Sequence, residues 1–139
     1  MDLRKITEDF SVSPQIAVTD VPAIAEAGYR AILCNRPDGE ETGQPAYDAV
    51  AEAARAAGLA VEYLPVVSGQ VTRADTQAFR AALYSLPGPV LAYCRTGTRC
   101  TVMWSMTQID TLGAGEVLRR TSDAGYDMSG LVAQLQSGQ

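Results

Sequence analysis

Val90-Leu91-Ala92-Tyr93-Cys94-Arg95-Thr96-Gly97-Thr98-Arg99 is the stretch from which the architecture of this chain follows. Its first four residues form an apolar run with the length of a buried strand. The next six form a short loop that contains a glycine, and helical spacing begins near Cys100. A strand that passes through a short loop into a helix is the unit from which parallel α/β sheets are built. The stretch therefore predicts a loop at the carboxyl end of a buried parallel strand.

Three further apolar runs have the length of strands, and longer segments of helical spacing separate them. The runs are Phe10–Ser13, which is expected to open the sheet, Ala31–Cys34 and Ala60–Leu64. The helical segments run from residue 19 or 20 to Ala27, over Tyr47–Ala57, from Thr72 to about Leu86 and from Cys100 onward, with one or two more at Glu116–Arg120 and Ser129–Leu135. Thr72 and Asp75 have the spacing of a helix capping box. This alternation predicts a single α/β domain over residues 1–139, with a mainly parallel central sheet flanked by helices.

Composition limits the classes of partner. The chain has 16 acidic and 11 basic residues, which gives a formal net charge of −5 at pH 7. An acidic surface disfavours nucleic acid and anionic membranes as the main partners. No apolar stretch approaches the ~18 residues of a membrane span, and the charged N-terminus lacks the apolar core of a secretion signal. We expect a cytoplasmic protein with reduced thiols, and the oligomeric state stays open.

The chain contains no histidine. This excludes Ser-His-Asp triads, Cys-His dyads and histidine metal sites within the chain itself. The three cysteines, Cys34, Cys94 and Cys100, have no zinc-like spacing. We therefore expect neither a metal nor a cofactor, and the chemistry must proceed without imidazole.

Cys94 is the candidate nucleophile. In an open α/β sheet, ligands bind beyond the carboxyl ends of the strands, where the loop after Tyr93 lies. A short loop that enters a helix directs several backbone N–H groups to one point, and Gly97 permits the positive φ that such a cradle needs. These dipoles, with Arg95 and Arg99 nearby, should lower the pKa of Cys94 and hold it as a thiolate. The loop therefore predicts attack on sulfur or phosphorus in a small anionic substrate.

The remaining loop residues have supporting roles. Arg99 is expected to bind the anion together with Cys94, and Arg95 either meets the incoming substrate or points outward. Thr96, Gly97 and Thr98 are expected to contribute backbone amides. Cys100 either packs at the helix start or acts as a resolving thiol that forms a disulfide with Cys94.

Asn35, Arg36 and Asp38 are secondary candidates, because they follow a neighbouring parallel strand on the same edge of the sheet. Arg36 could add positive potential. Asp38 could orient a loop arginine or donate a proton, although a turn at residues 37–39 explains it without chemistry. The acidic cluster of Asp38, Glu40 and Glu41 is interpreted as solvated.

Two resemblances bear on the reaction. Cys-Arg-x-Gly-x-Arg, at residues 94–99, resembles the active-site loop of rhodanese-type sulfurtransferases, in which the cysteine accepts a sulfur atom as a persulfide. The wider chain, over roughly residues 1–110, resembles the phosphatase-like domain of the beta-lactamase hydrolase-like proteins. The shared motifs are Phe10–Ile16, Asn35–Glu40 and Gly88–Arg99. That resemblance implies a fold similar to dual-specificity phosphatases, and some members of the family are labelled sulfur transferases.

Departures from the phosphatase pattern favour sulfur transfer. Phosphatases of this kind place five residues between cysteine and arginine, whereas four separate Cys94 from Arg99. Tyr93 stands where those enzymes usually have histidine, and residues 64–70, where their acid is expected, contain no carboxylate. Persulfide transfer needs no strong acid, because its leaving groups are good ones.

The leading hypothesis is therefore a sulfurtransferase. It would form a Cys94 persulfide from thiosulfate or a small persulfide and pass the sulfur to a thiol or cyanide. The first alternative is a phosphatase-type hydrolase with a Cys94 phosphoenzyme. The second is a non-catalytic anion-binding or redox-sensing domain that docks to an enzyme of sulfur metabolism.

Overall fold

The computed structural model describes residues 1–137 and contains one five-stranded sheet. Its strands are β1 (Arg4–Thr7), β2 (Phe10–Ser13), β3 (Ala31–Cys34), β4 (Ala60–Tyr63) and β5 (Val90–Tyr93). The strand order is β1-β2-β5-β3-β4, with β1 antiparallel to β2 and every other pair parallel. The strand that precedes Cys94 therefore lies at the centre of the sheet, between β2 and β3. The predicted mainly parallel α/β fold is confirmed.

In the described residues 1–137, six α-helices cover the two faces of the sheet. They are α1 (Val21–Glu26), α2 (Tyr47–Ala56), α3 (Arg73–Ser85), α4 (Thr98–Leu112), α5 (Ala114–Asp123) and α6 (Ser129–Ser137), and a short 3₁₀ turn (Val18–Asp20) precedes α1. None of the helices in residues 1–137 has the length and apolar character that a membrane crossing requires. Residues 138 and 139, which the predicted domain includes, lie outside the described part of the chain.

Alternation along β5 divides the core into two layers. Leu91 and Tyr93 pack with residues of α1 and α2 on one face. Val90 and Ala92 pack on the other face with residues of α3, α4, α5 and α6. All four side chains of the strand are buried, as expected for a central parallel strand covered on both sides. The end of β5 is thus fixed by packing on both faces.

The structure corrects the predicted start of the sheet. Phe10–Ser13 does not open it, because β1 at Arg4–Thr7 precedes it and pairs with it in an antiparallel hairpin. Only Ile6 of that edge strand is buried, so its sequence lacks the apolar run that indicated the other strands. The helix after the loop also begins at Thr98, two residues before the predicted start at Cys100.

Candidate active site

Cys94 lies directly after β5 and has no exposed surface. The Gly97 N–H donates to its sulfur at 3.1 Å. The thiol of Cys100 and the backbone N–H groups of Cys100, Thr96 and Gly97 all lower the pKa of Cys94, with the Cys100 thiol the strongest influence. Burial acts in the opposite direction, and the net result is a pKa of about 6. Cys94 is therefore a thiolate at neutral pH, as its position at a helix start predicts.

Gly97 shapes the loop around this sulfur. It has a φ of +89° and immediately precedes the first turn of α4. A methyl group at this position would overlap the hydroxyl of Tyr126, which donates to the Thr96 carbonyl at 3.0 Å. The loop is thus held from outside by a residue between α5 and α6. The role of Tyr126 could not be predicted from the sequence, because no spacing rule connects this residue to a loop 30 residues earlier.

Arg99 does not stand free beside the thiolate. Its Nη1 and Nη2 atoms each donate to one carboxylate oxygen of Glu40 at 2.7 Å, and Nη1 also donates to the Val66 carbonyl at 2.9 Å. The side chain of Arg99 is 11% exposed and that of Glu40 is 27% exposed. Hydrogen bonds from Arg99 and then from Arg36 lower the pKa of Glu40 to about 2, against the effect of burial. Glu40 is therefore ionised at neutral pH.

Arg36 contacts this pair from the buried side and has almost no exposed surface. Its side chain is only 2% exposed. Its three nitrogens donate to Glu40 at 2.9 Å, to Glu41 at 2.8 Å and to the Gln15 side chain at 3.0 Å. The predicted gain in positive potential from Arg36 is therefore compensated by two carboxylates. Glu40 is an exposed residue, as interpreted from the sequence, but its carboxylate is paired with Arg36 and Arg99, which that interpretation did not include. The Glu41 side chain is about half exposed at 52%.

Asp38 and Asn35 hold the scaffold instead of contacting a loop arginine. The Asp38 carboxylate accepts the Tyr47 N–H at 2.8 Å at the start of α2, and the Asp38 N–H donates to the Tyr63 hydroxyl at 2.9 Å. The fully buried Asn35 donates its side-chain amide to the Leu64 carbonyl at 2.9 Å. The turn interpretation of Asp38 explains these contacts, and Glu40 occupies the position by an arginine that was predicted for Asp38.

Three loop side chains reach solvent, namely Arg95, Thr96 and Thr98. They line a cavity of about 330 Å³ beside the loop, together with Ser68, Gly69, Val71, Arg99 and Val102. The Thr98 N–H and hydroxyl contact the Thr96 hydroxyl, which stiffens the outer side of the loop. The site therefore combines a buried thiolate, converging amides and an arginine at the edge of a small cavity.

The other two cysteines are buried and free. Burial raises the pKa of Cys100 well above its ordinary value, so Cys100 keeps its proton and can donate to Cys94. The Cys34 thiol donates to the Arg36 carbonyl at 3.3 Å. A protonated Cys100 thus lowers the pKa of the Cys94 thiol, and its resolving role stays a prediction.

Comparison with known proteins agrees with this arrangement. The family model for the phosphatase-like domain of beta-lactamase hydrolase-like proteins matches residues 2–111. A beta-lactamase hydrolase-like protein of Xylella fastidiosa (strain Temecula1) is 39% identical over 109 residues, which are 78% of this chain and 25% of that protein. The chain thus spans about a quarter of the length of the curated relatives it matches.

Solved structures give the same fold. A candidate phosphatase from Neisseria meningitidis Z2491 has 33% sequence identity and a TM-score of 0.88, with 100% of this chain and 99% of that chain covered. TpbA of Pseudomonas aeruginosa, solved in complex with phosphotyrosine, has 18% identity and a TM-score of 0.59 over 99% of this chain and 91% of its own. The resemblance carried by the three sequence motifs is confirmed. The chain belongs to the family of phosphatase-like domains of the beta-lactamase hydrolase-like proteins, and its fold is that of cysteine-dependent phosphatases.

Proposed function

We propose that the domain is a cysteine-dependent hydrolase of phosphatase type that acts on small phosphate monoesters. The observation that supports this most directly is the Cys94 thiolate, with a pKa of about 6, among loop N–H groups at the start of α4. These donors can stabilise the charge that develops on a transferred phosphoryl group. The fold shared with phosphatases, one of them bound to phosphotyrosine, supports the same substrate class.

The reaction has two displacements. In the first, the Cys94 sulfur forms a bond to phosphorus while the bond from phosphorus to the ester oxygen breaks, and the departing oxyanion takes a proton from water. In the second, water attacks the phosphorus, the sulfur–phosphorus bond breaks and inorganic phosphate leaves. The proton that the water releases balances the one taken up earlier, and the thiolate is regenerated.

The site offers no strong proton donor for the leaving group. Among the described residues around the loop, Glu40 is ionised and paired with two arginines, and Asp38 accepts a backbone N–H. The departing oxygen must therefore leave with little help from a general acid. Aryl phosphates, whose phenolates leave easily, should be hydrolysed far faster than alkyl phosphates.

Sulfur transfer is the second candidate, because the short loop and the lack of a poised acid favour it. In that reaction the Cys94 thiolate attacks the outer sulfur of thiosulfate, the sulfur–sulfur bond breaks and sulfite leaves with the electron pair. Cyanide or a thiolate then attacks the terminal sulfur of the Cys94 persulfide and restores the thiolate. Neither step needs a protonated carboxylic acid.

One pair of assays on the wild type and Cys94→Ser separates these candidates. Hydrolysis of p-nitrophenyl phosphate that vanadate inhibits, and that is lost in the variant, would support the phosphatase. A gain of one sulfur atom in the intact mass after thiosulfate, removed by cyanide and absent in the variant, would support the transferase. Phosphatase activity that survives Cys94→Ser would refute Cys94 as the phosphatase nucleophile, and sulfur uptake that survives in the variant would refute it as the sulfur acceptor.

A further inference from the structure

Arg99 uses only part of its guanidinium in the contacts described above. The two oxygens of Glu40 occupy the end of the group, at Nη1 and Nη2, and the Val66 carbonyl takes the second Nη1 hydrogen. The Nε hydrogen and the second Nη2 hydrogen lie together on the side edge. No acceptor for either lies among residues 1–137. This pair of parallel donors has the geometry that binds two oxygens of an oxyanion.

Glu40 is itself held in place from below. The Arg36 Nε donates to the same Glu40 oxygen, Oε1, that accepts from Arg99 Nη2. Arg36 is almost fully buried, and its other nitrogens are fixed by Gln15 and Glu41. The chain of contacts thus runs from a buried arginine through one carboxylate to the arginine of the loop. Such a chain restricts the rotation of Arg99 before any ligand arrives.

We propose that Glu40 is a positioning residue for anion binding. Its carboxylate holds the Nη1 and Nη2 end of the Arg99 guanidinium, so that the Nε hydrogen and the second Nη2 hydrogen can donate to an oxyanion bound at Cys94. Arg99 lines the cavity that also borders Thr96 and Thr98 of the loop around Cys94, so an anion held at the cysteine loop lies within the region that Arg99 borders. The inference rests on the proposed function, because it requires that a tetrahedral oxyanion binds at Cys94. Thiosulfate meets that requirement as well as a phosphate ester does.

The test measures binding without turnover. Inorganic phosphate at increasing concentration is used to protect Cys94 from iodoacetamide, in the wild type and in Glu40→Gln. We expect the variant to need about tenfold more phosphate for half-protection, because the bidentate contact loses its preset orientation. Glu116→Gln is the matched control, since Glu116 also bridges two arginines, Arg119 and Arg120, but on α5. It should need the same phosphate concentration as the wild type.

Two further measurements distinguish positioning from a general structural effect. Without phosphate, the pH midpoint of alkylation should not move to higher pH in Glu40→Gln, because the donors to Cys94, namely Cys100, Thr96 and Gly97, stay in place. Loss of the carboxylate only leaves more of the Arg99 charge to favour the thiolate. In an Arg99→Ala background, Glu40→Gln should cause no additional loss of phosphate protection. A full additional loss there would show that Glu40 acts on the anion by another route and would overturn the proposal.

The outcomes separate this proposal from the proposed function. If phosphate protects Glu40→Gln as well as the wild type, the positioning role is refuted, whatever the wild type hydrolyses. If the wild type hydrolyses no phosphate ester but phosphate protects Glu40→Gln less well than the wild type, the positioning role holds and the phosphatase assignment fails. Should Glu40→Gln not fold, Glu40→Asp replaces it, because the shorter carboxylate keeps the charge but cannot reach both arginines; undiminished protection in that variant would also refute the proposal.

Discussion

At the residue scale, Cys94 owes its acidity to short-range donors. The sequence predicts that the loop dipoles, Arg95 and Arg99 lower the pKa of Cys94. Among the groups that lower this pKa, the Cys100 thiol has the strongest effect, and the N–H groups of Cys100, Thr96 and Gly97 follow. The charge of Arg99 is compensated within the site by its ion pair with Glu40. The nature of residue 100 should therefore set the working pH of the site.

Alkylation of Cys94 tests this dependence. In the wild type the rate of reaction with iodoacetamide should fall as the pH drops below about 6, the pKa of Cys94, because the thiolate is then protonated. Cys100→Ala removes the strongest donor and should move the midpoint to higher pH. Cys100→Ser keeps a donor at the same place and should stay near the wild type. An unchanged midpoint in Cys100→Ala would contradict the assigned cause.

Gly97 allows a second test at this scale. Gly97→Ala should lower the free energy of unfolding by more than ~1–3 kcal/mol, which is the usual cost of placing a non-glycine residue in the left-handed region. The excess arises because the new methyl group overlaps the Tyr126 hydroxyl. Gly58→Ala is the control, since its φ of +84° is similar and nothing lies within 4 Å of the added methyl group. Equal losses in urea unfolding would show that Tyr126 moves aside without cost.

At the element scale, the sequence predicts helices and strands, which have local signals, better than it predicts contacts between distant loops. β3 and β5 have the predicted bounds because each is a continuous apolar run. β1 was missed because an edge strand needs few apolar residues. The pairing of Glu40 with Arg99 was not predicted for a different reason. The neighbours of Glu40 in the chain are polar and its partner Arg99 lies 59 residues later, so no local pattern connects them.

The helix α3 has the clearest local signal, and its cap can be tested. The Thr72 hydroxyl accepts the Asp75 N–H at 3.1 Å, and the Asp75 carboxylate accepts the Thr72 N–H at 3.0 Å. This is the capping box that the sequence predicts. Thr72→Ala should lower the unfolding free energy by about 1 kcal/mol. Gln77→Ala, at an exposed position within α3, should change it little in the same denaturant titration.

At the scale of the whole molecule, the C-terminal segment belongs to the core although the family model ends at residue 111. Val117, Met128 and Val132 are buried in the layer that contains α3 and α4. Tyr126 extends this layer to the active-site loop through its bond to the Thr96 carbonyl. The sequence indicates helices in this segment, but it cannot show which residues of the segment reach the loop, because that depends on packing.

Met128→Ala measures how strongly the segment supports the domain. Met128 is 6% exposed, so its truncation should cost about 2–5 kcal/mol of unfolding free energy. Trp104 fluorescence and circular dichroism should show the loss in one shared transition, since both probes report on the same core. Leu112→Ala, at a 37% exposed position, is the control and should cost much less. Separate transitions would mean that the segment folds independently.

The pairing of Arg36 and Arg99 with Glu40 and Glu41 has a consequence for how a substrate arrives. Arg95 and the Cys94 thiolate also carry opposite charges, so the mouth of the site is close to neutral on a chain with a net charge of −5. A diffusing anion therefore meets no long-range attraction that would guide it inward. Encounter should not slow as ionic strength rises, because the net charge is negative and salt screens only repulsion, and discrimination should begin only when the anion touches the loop.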